Sequence, residues 1–198
     1  MQPCRTSLTL ALLVLLGTGC AMHQPMLLVD LGAASISIAT NPGLPALRMS
    51  PVQAPPWLDE PRMLYRLLYE NPLEVHAYAT RRWLMAPGLL FEQRVRQRLV
   101  AAGRIVLPAT DTTTGMPTLK IELYDFMQHF SDPASSSGRV LMRASLYTGQ
   151  QLFAQHTFYG QVAASSADAA GGARALAGAS DVAIDALLRW LAANPCKP

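Results

Sequence analysis

The sequence predicts an α+β fold: one domain in which a mixed, largely antiparallel sheet is packed by an amphipathic helix and a C-terminal helix. Three observations predict it. From Leu119 to Val162, apolar and polar residues alternate in three successive segments joined by polar connections, the pattern of a meander with one buried face. From Pro87 to Gly103 the period changes: Phe91, Val95, Leu99 and Ala102 recur at spacings of four, four and three, which puts them on one helix face. Asp168 to Asn194 is Ala-rich and again helical in period.

The chain opens with Arg5, then an unbroken apolar run from Leu8 to Leu16, then Gly17-Thr18-Gly19-Cys20. The run is about nine residues, where a membrane-spanning helix needs about 20. It fits the h-region of a secretory signal peptide over residues 1–19. The small residues before Cys20 resemble a bacterial lipobox, with Gly17 where that pattern prefers Leu. The resemblance implies that Cys20 carries a thioether-linked diacylglycerol. An ordinary signal peptide that leaves Cys20 as a free thiol is the alternative. Residues 20–25 then form the lipidated cysteine and a tether, and 26–195 a single domain. The five residues Ala21 to Pro25 reach at most about 17 Å, so the domain is held close to the membrane. Ala21 stands where an Asp would favour inner-membrane retention, which points to the periplasmic face of the outer membrane.

Met26 to Gly32 reads as a first strand, extended by or paired with Ser35 to Thr40, and Asn41-Pro42-Gly43 is a turn. Ala46 to Ala54 alternates weakly as a second strand, and Trp57 to Pro61 is a loop. Met63 to Tyr69 and Glu74 to Ala79 form a hairpin across Asn71-Pro72, with Val75, Ala77 and Ala79 set against Glu74, His76 and Tyr78. Pro87 sits in the first turn of the amphipathic helix and Gly103 just past its end; Glu92 and Arg96 form a favourable pair on its polar side. Arg104 to Pro108 is a short strand. After Leu119, Ile121 and Leu123 the alternation changes phase to Phe126 and Phe130, which predicts a bulge near Asp125. Ser131 to Gly138 reads as a mobile hairpin loop, and Val140 to Tyr147 and Leu152 to Val162 as the next hairpin. In the last helix Gly171, Gly172 and Gly178 weaken the first half. Ala183, Leu187, Trp190 and Leu191 form one face of the second half and Asp181, Asp185 and Arg189 the other.

Bulk properties exclude several functions. Removing residues 1–19 from the 198 leaves 179, enough for one sizeable core, and loses one cation, so the net charge falls from +3 to +2. With no Lys/Arg-rich run, nucleic acid is not an expected partner. Cys196 is left without an intramolecular partner, as a free thiol or an interchain one. His23, His76, His129 and His156 show no ligand spacing, and no phosphate loop or nucleophile elbow is present, so neither a metal nor a cofactor is expected. Ser135 to Ser137 read as solvated turn residues. Arg66 either faces solvent, pairs with a carboxylate such as Glu74, or, with Arg81 and Arg82, contacts a phosphate or a partner carboxylate, for which the planar guanidinium is suited. Trp83 either caps the core where strand meets helix or anchors an interface.

Trp57-Leu58-Asp59, Met63-Leu64-Tyr65-Arg66-Leu67, Tyr78-Ala79-Thr80-Arg81-Arg82-Trp83 and a Pro-led helix come in this order after the lipobox. This order resembles the ABC-type transport auxiliary lipoproteins of the PqiC-like family, whose Tyr-Ala-Asn-Ser-Arg-Trp motif has Thr80 and Arg81 in its Asn and Ser places here. The resemblance extends to Val29-Asp30-Leu31-Gly32 and to Ala173–Trp190. It implies a TolB N-terminal-like domain and a non-enzymatic periplasmic lipoprotein of an intermembrane lipid transport system. Its partners would be the membrane, an MCE-family protein and ABC transporter components, with a homo-oligomeric ring possible. An outer-membrane assembly or other envelope interaction lipoprotein is the second reading, and a lipid-active hydrolase the third.

Overall fold

The computed structural model describes residues 25–34 and 46–195. Cys20, the tether up to Gln24, the strand expected over Ser35–Thr40, the turn at Asn41 and Cys196 lie outside the described residues. The elements are β1 (Leu27–Val29), β2 (Leu47–Met49), a 3-10 turn at Pro56–Leu58, β3 (Arg62–Leu67), β4 (His76–Trp83), α1 (Pro87–Ala101), β5 (Val106–Pro108), β6 (Thr118–Asp132), β7 (Ser135–Thr148), β8 (Gln151–Ala163) and α2 (Ala169–Ala193). The α+β reading holds: among the described residues there is one eight-stranded mixed sheet and two α-helices.

β6 is the spine of the sheet. On one side it pairs antiparallel with β7 over its whole length, and β7 pairs antiparallel with β8. On the other side it is met in succession by β2 near Leu119, by a bridge from Gln53 to Glu122, and by β3 from Gln128 to Phe130, all parallel. β2 and β3 thus run along β6 as one interrupted strand. β4 pairs antiparallel with β3 and carries β1, parallel, at the sheet's edge. The predicted bulge is present between Leu123 and Asp125, and it moves Phe126 onto the inner face, where its ring meets Trp83 edge-on at 5.6 Å.

Three expectations need correction. Ser131 to Gly138 is not a loop: β6 and β7 continue to Asp132 and Ser135, and the connection is Pro133-Ala134 alone. The Ser-rich composition misleads because Asp132 Oδ1 accepts the Ala134 N–H (2.9 Å) and closes a tight turn, while the serines pair across strands. In β4 the alternation exists with the opposite phase. Ala77 and Ala79 are exposed and Tyr78 points inward, where its hydroxyl donates to Gln128 Oε1 (2.8 Å) and its ring packs on Tyr65. One aromatic ring outweighs two alanine methyls in buried area, so it sets the phase. Finally, the second strand, read over Ala46 to Ala54, spans Leu47–Met49 alone.

Phe91, Val95 and Leu99 of α1, Leu176, Ile184 and Leu187 of α2, and Leu119, Ile121 and Met142 of the sheet join one buried cluster. α1 begins on Pro87 and stops at Gly103 (φ +81°), a left-handed position that suits glycine. α2 lies unusually close to β7 and β8. A methyl group on Gly138 would come within 2.5 Å of the Ala175 carbonyl carbon, and one on Gly160 would run into the Ala179 carbonyl oxygen. Gly172 of α2 leaves room for the fully buried Gln128 amide, which holds Tyr78 and accepts no contact with solvent. The strand glycines thus allow backbone-to-backbone packing, while Gly172, which costs helix propensity, makes room for a buried side chain.

Candidate functional site

The residues singled out in the sequence fall in three different places. Arg66, half-buried in β3, donates from Nη1 to the Pro72 carbonyl and so clamps its own hairpin connection. Glu74, its expected partner, instead accepts from Asn71 Nδ2 (3.1 Å) and lies 3.6 Å from His76 Nε2. Trp83 is 1% exposed and belongs to the core, stacked edge-on against Phe126. Its ring therefore offers no surface to a partner in this fold. Arg82 is exposed, beside Leu28 in the β1–β4 register, and Arg81 is half-buried on the other side of the strand.

Arg81 opens onto a groove of about 530 Å³ between the β1–β4 edge and the start of α2, lined also by Leu28, Val29, Leu84, Ala173 and Arg174. On the same edge Met26, Leu27, Leu28 and Leu84 are each exposed by 43–62%. Leu84 joins this edge because its N–H donates to the Val29 carbonyl (2.7 Å), continuing the β1–β4 ladder past Trp83. Arg174 reaches back to the hydroxyl of Ser165 (3.0 Å) at the entry to α2. That entry is capped by Asp168, whose Oδ1 accepts the Gly171 N–H at 2.7 Å. This bond first, and the Ser166 hydroxyl second, hold the Asp168 carboxyl below the usual carboxylate range.

The segment following β1 is fixed by residues that sequence reasoning overlooked. Arg94 of α1 is 4% exposed and makes a two-pronged pair with Asp181 of α2, Nε to Oδ1 at 2.8 Å and Nη2 to Oδ2 at 2.7 Å. Its remaining nitrogen donates to the carbonyls of Leu31 (2.9 Å) and Gly32 (3.2 Å). Arg98, one turn on, pairs with Asp185. One guanidinium thus joins both helices to the chain leaving β1. The signal was present in two i,i+4 pairs of opposite charge, Arg94/Arg98 and Asp181/Asp185, each flanking an apolar stripe; only the fold brings them together.

On the outer face of the sheet, Arg143 pairs with Glu122 (Nε to Oε2, 2.6 Å) and Lys120 lies over the Tyr147 ring. His129, 7% exposed, shares a bond with Asp125 (2.9 Å). Ser137 is its cross-strand neighbour, but the Ser137 hydroxyl accepts from Gln161 (3.0 Å) and not from the imidazole, so no activated nucleophile is formed there. Burial raises the Tyr78 hydroxyl well above the usual range for a phenol, which keeps it a neutral donor to Gln128. No group of His, Cys, Asp and Glu among the described residues could hold a metal ion, and no described helix is long and apolar enough to cross a membrane.

The family model of the ABC-type transport auxiliary lipoprotein component matches residues 27–188. The chain belongs to this family. As a member of the auxiliary lipoprotein family it is a transport component associated with ABC transporters and with the membranes of the cell envelope. Two solved structures share its fold. Protein XCC0632 from Xanthomonas campestris, a DUF330 protein, is 21% identical, with a TM-score of 0.65 over 84% of this chain and 91% of that one. An uncharacterized protein, 12% identical, has a TM-score of 0.68 over 84% of this chain and 99% of its own. No curated protein matches the chain.

Proposed function

We propose that this auxiliary lipoprotein is a non-enzymatic, periplasmic subunit of an MCE/ABC-type system that moves lipids between the two membranes. The family match across 27–188 carries the reading. Cys20 is the lipidated residue, residues 1–19 are the signal peptide, and Ala21 directs the protein to the periplasmic face of the outer membrane. The diacylglycerol, with any further acyl chain, gives stable anchoring where a single chain would be marginal. The folded domain docks the partner subunits, alone or as a ring of copies. Of the arginines and the tryptophan singled out above, Arg82 is the one that is exposed and suited to a phosphate or a partner carboxylate; Arg66 and Trp83 support the fold around it.

The non-enzymatic reading is supported by the Asp125–His129 pair having no serine on its imidazole. Affinity capture from detergent-solubilised envelope, with identification of what co-elutes, is the direct test. Recovery of an MCE protein or an ABC permease is expected, and capture of outer-membrane assembly proteins in their place would overturn the transport reading. Cys20→Ala should leave the membrane fraction or stay unprocessed; unchanged fractionation would sink acyl anchoring.

A further inference from the structure

We propose that the β1–β4 edge is a membrane-docking surface, seated on the bilayer that holds the acyl chains of Cys20; this rests on Cys20 being lipidated. Three observations lead to it. The first is distance. Five residues separate Cys20 from Met26 and span at most about 17 Å, so β1 is the part of the fold held nearest the membrane. A small folded domain is about 30 Å across and does not fit between β1 and the bilayer within that clearance, so on its membrane side this edge meets lipid.

The second is apolar exposure in the right place. Met26, Leu28 and Leu84 are exposed on one face of the edge where the chain enters the fold, Leu28 by 62% and Leu84 by 55%, and Leu27 is exposed on its other face. A contiguous apolar group of this kind marks an interaction surface, whereas isolated exposed leucines mean little. The third is charge. Arg81, Arg82 and Arg174 border the same edge and its groove, and Asp30, the one carboxylate among the described residues that line the groove, accepts the Gly32 N–H (2.8 Å). Leucines that enter the acyl boundary, flanked by guanidinia at the level of the headgroup phosphates, are the arrangement of an interfacial anchor. Arg94 makes the docking rigid, because it bonds the Leu31 and Gly32 carbonyls to both helices. Two attachments, acyl chains and protein edge, would then fix how the domain is oriented, which the acyl chains alone cannot do.

The test uses the mature lipidated protein, Cys196→Ser, reconstituted in vesicles of equimolar phosphatidylethanolamine and phosphatidylglycerol. An environment-sensitive fluorophore is placed at Leu28→Cys, Leu84→Cys or, on β8, Phe153→Cys. Expected are blue-shifted emission at 28 and 84 and quenching there by brominated acyl chains, with neither at 153. Adding Leu27→Glu should abolish the quenching at 84 while the protein still co-floats with vesicles. Labels at 28 and 84 that report water on co-floating protein would overturn the docking and leave the Cys20 reading intact. Labels that are shielded yet not quenched would mean that a second copy or another protein covers the edge, which also overturns it. Failure of the unsubstituted protein to co-float would overturn the Cys20 reading and this proposal together.

Discussion

Where α2 crosses β7 and β8, glycines at 138 and 160 bring helix and strand backbones into direct contact, whereas at the other end of the sheet β1 is three residues long and leaves Leu28 62% exposed. The first region has no tolerance for added volume. The second is thin, apolar and open, yet is held by Arg94 through two backbone carbonyls. The contrast teaches that the fold concentrates its stability away from the edge nearest the anchor, and that the apolar surface left at that edge is not needed to hold the domain together.

Substitutions can break or sharpen that contrast. The largest effect is expected from Trp83→Ala, which empties a fully buried site against Phe126 and should cost about 3–5 kcal/mol in denaturant unfolding. Arg94→Ala leaves Asp181, 17% exposed, facing a buried gap; a loss of about 3 kcal/mol is expected, together with faster hydrogen exchange in residues 27–32, which a simple loss of helix packing would not single out. Gly160→Ala should cost about 1–3 kcal/mol by forcing α2 off β8, although alanine is ordinarily a mild replacement.

A smaller effect is expected at the start of α2. Because the folded-state pKa of Asp168 is lowered, its capping bond contributes stability that is fully present above the ordinary carboxylate range near 4 and is lost as pH falls through the folded value. Asp168→Ala should remove about 1 kcal/mol at neutral pH, and Asp168→Asn should keep the cap while flattening the acid limb of the stability profile. The smallest effect belongs to the open edge: Leu84→Ser should change stability by no more than about 0.5 kcal/mol. A loss comparable to that of Gly160→Ala would show that the edge is structural after all.

Much of the fold was legible because local periodicity is physical. The 3.6-residue stripe of Phe91, Val95 and Leu99, the alternation around Ile121 and its phase change before Phe126 each required no knowledge of distant residues. Composition failed at Ser131–Gly138, where serines and a proline suggested a loop and a two-residue turn was enough. It failed again at β4, where a single inward tyrosine overrode the alternating alanines.

What the sequence determined by itself is the class of the fold, the course of its meander and the family, since these rest on local patterns and on motif order along the chain. What only the tertiary structure decided is which charges meet and which surfaces stay open. Arg94 and Asp181 are 87 residues apart, and β1 finds β4 as a parallel partner across more than 50 residues of chain. Such pairings depend on the whole sheet being assembled: the gain from a buried ion pair or a long-range ladder appears only after the loop between its members has been closed, so no stretch of sequence around either one reveals the other.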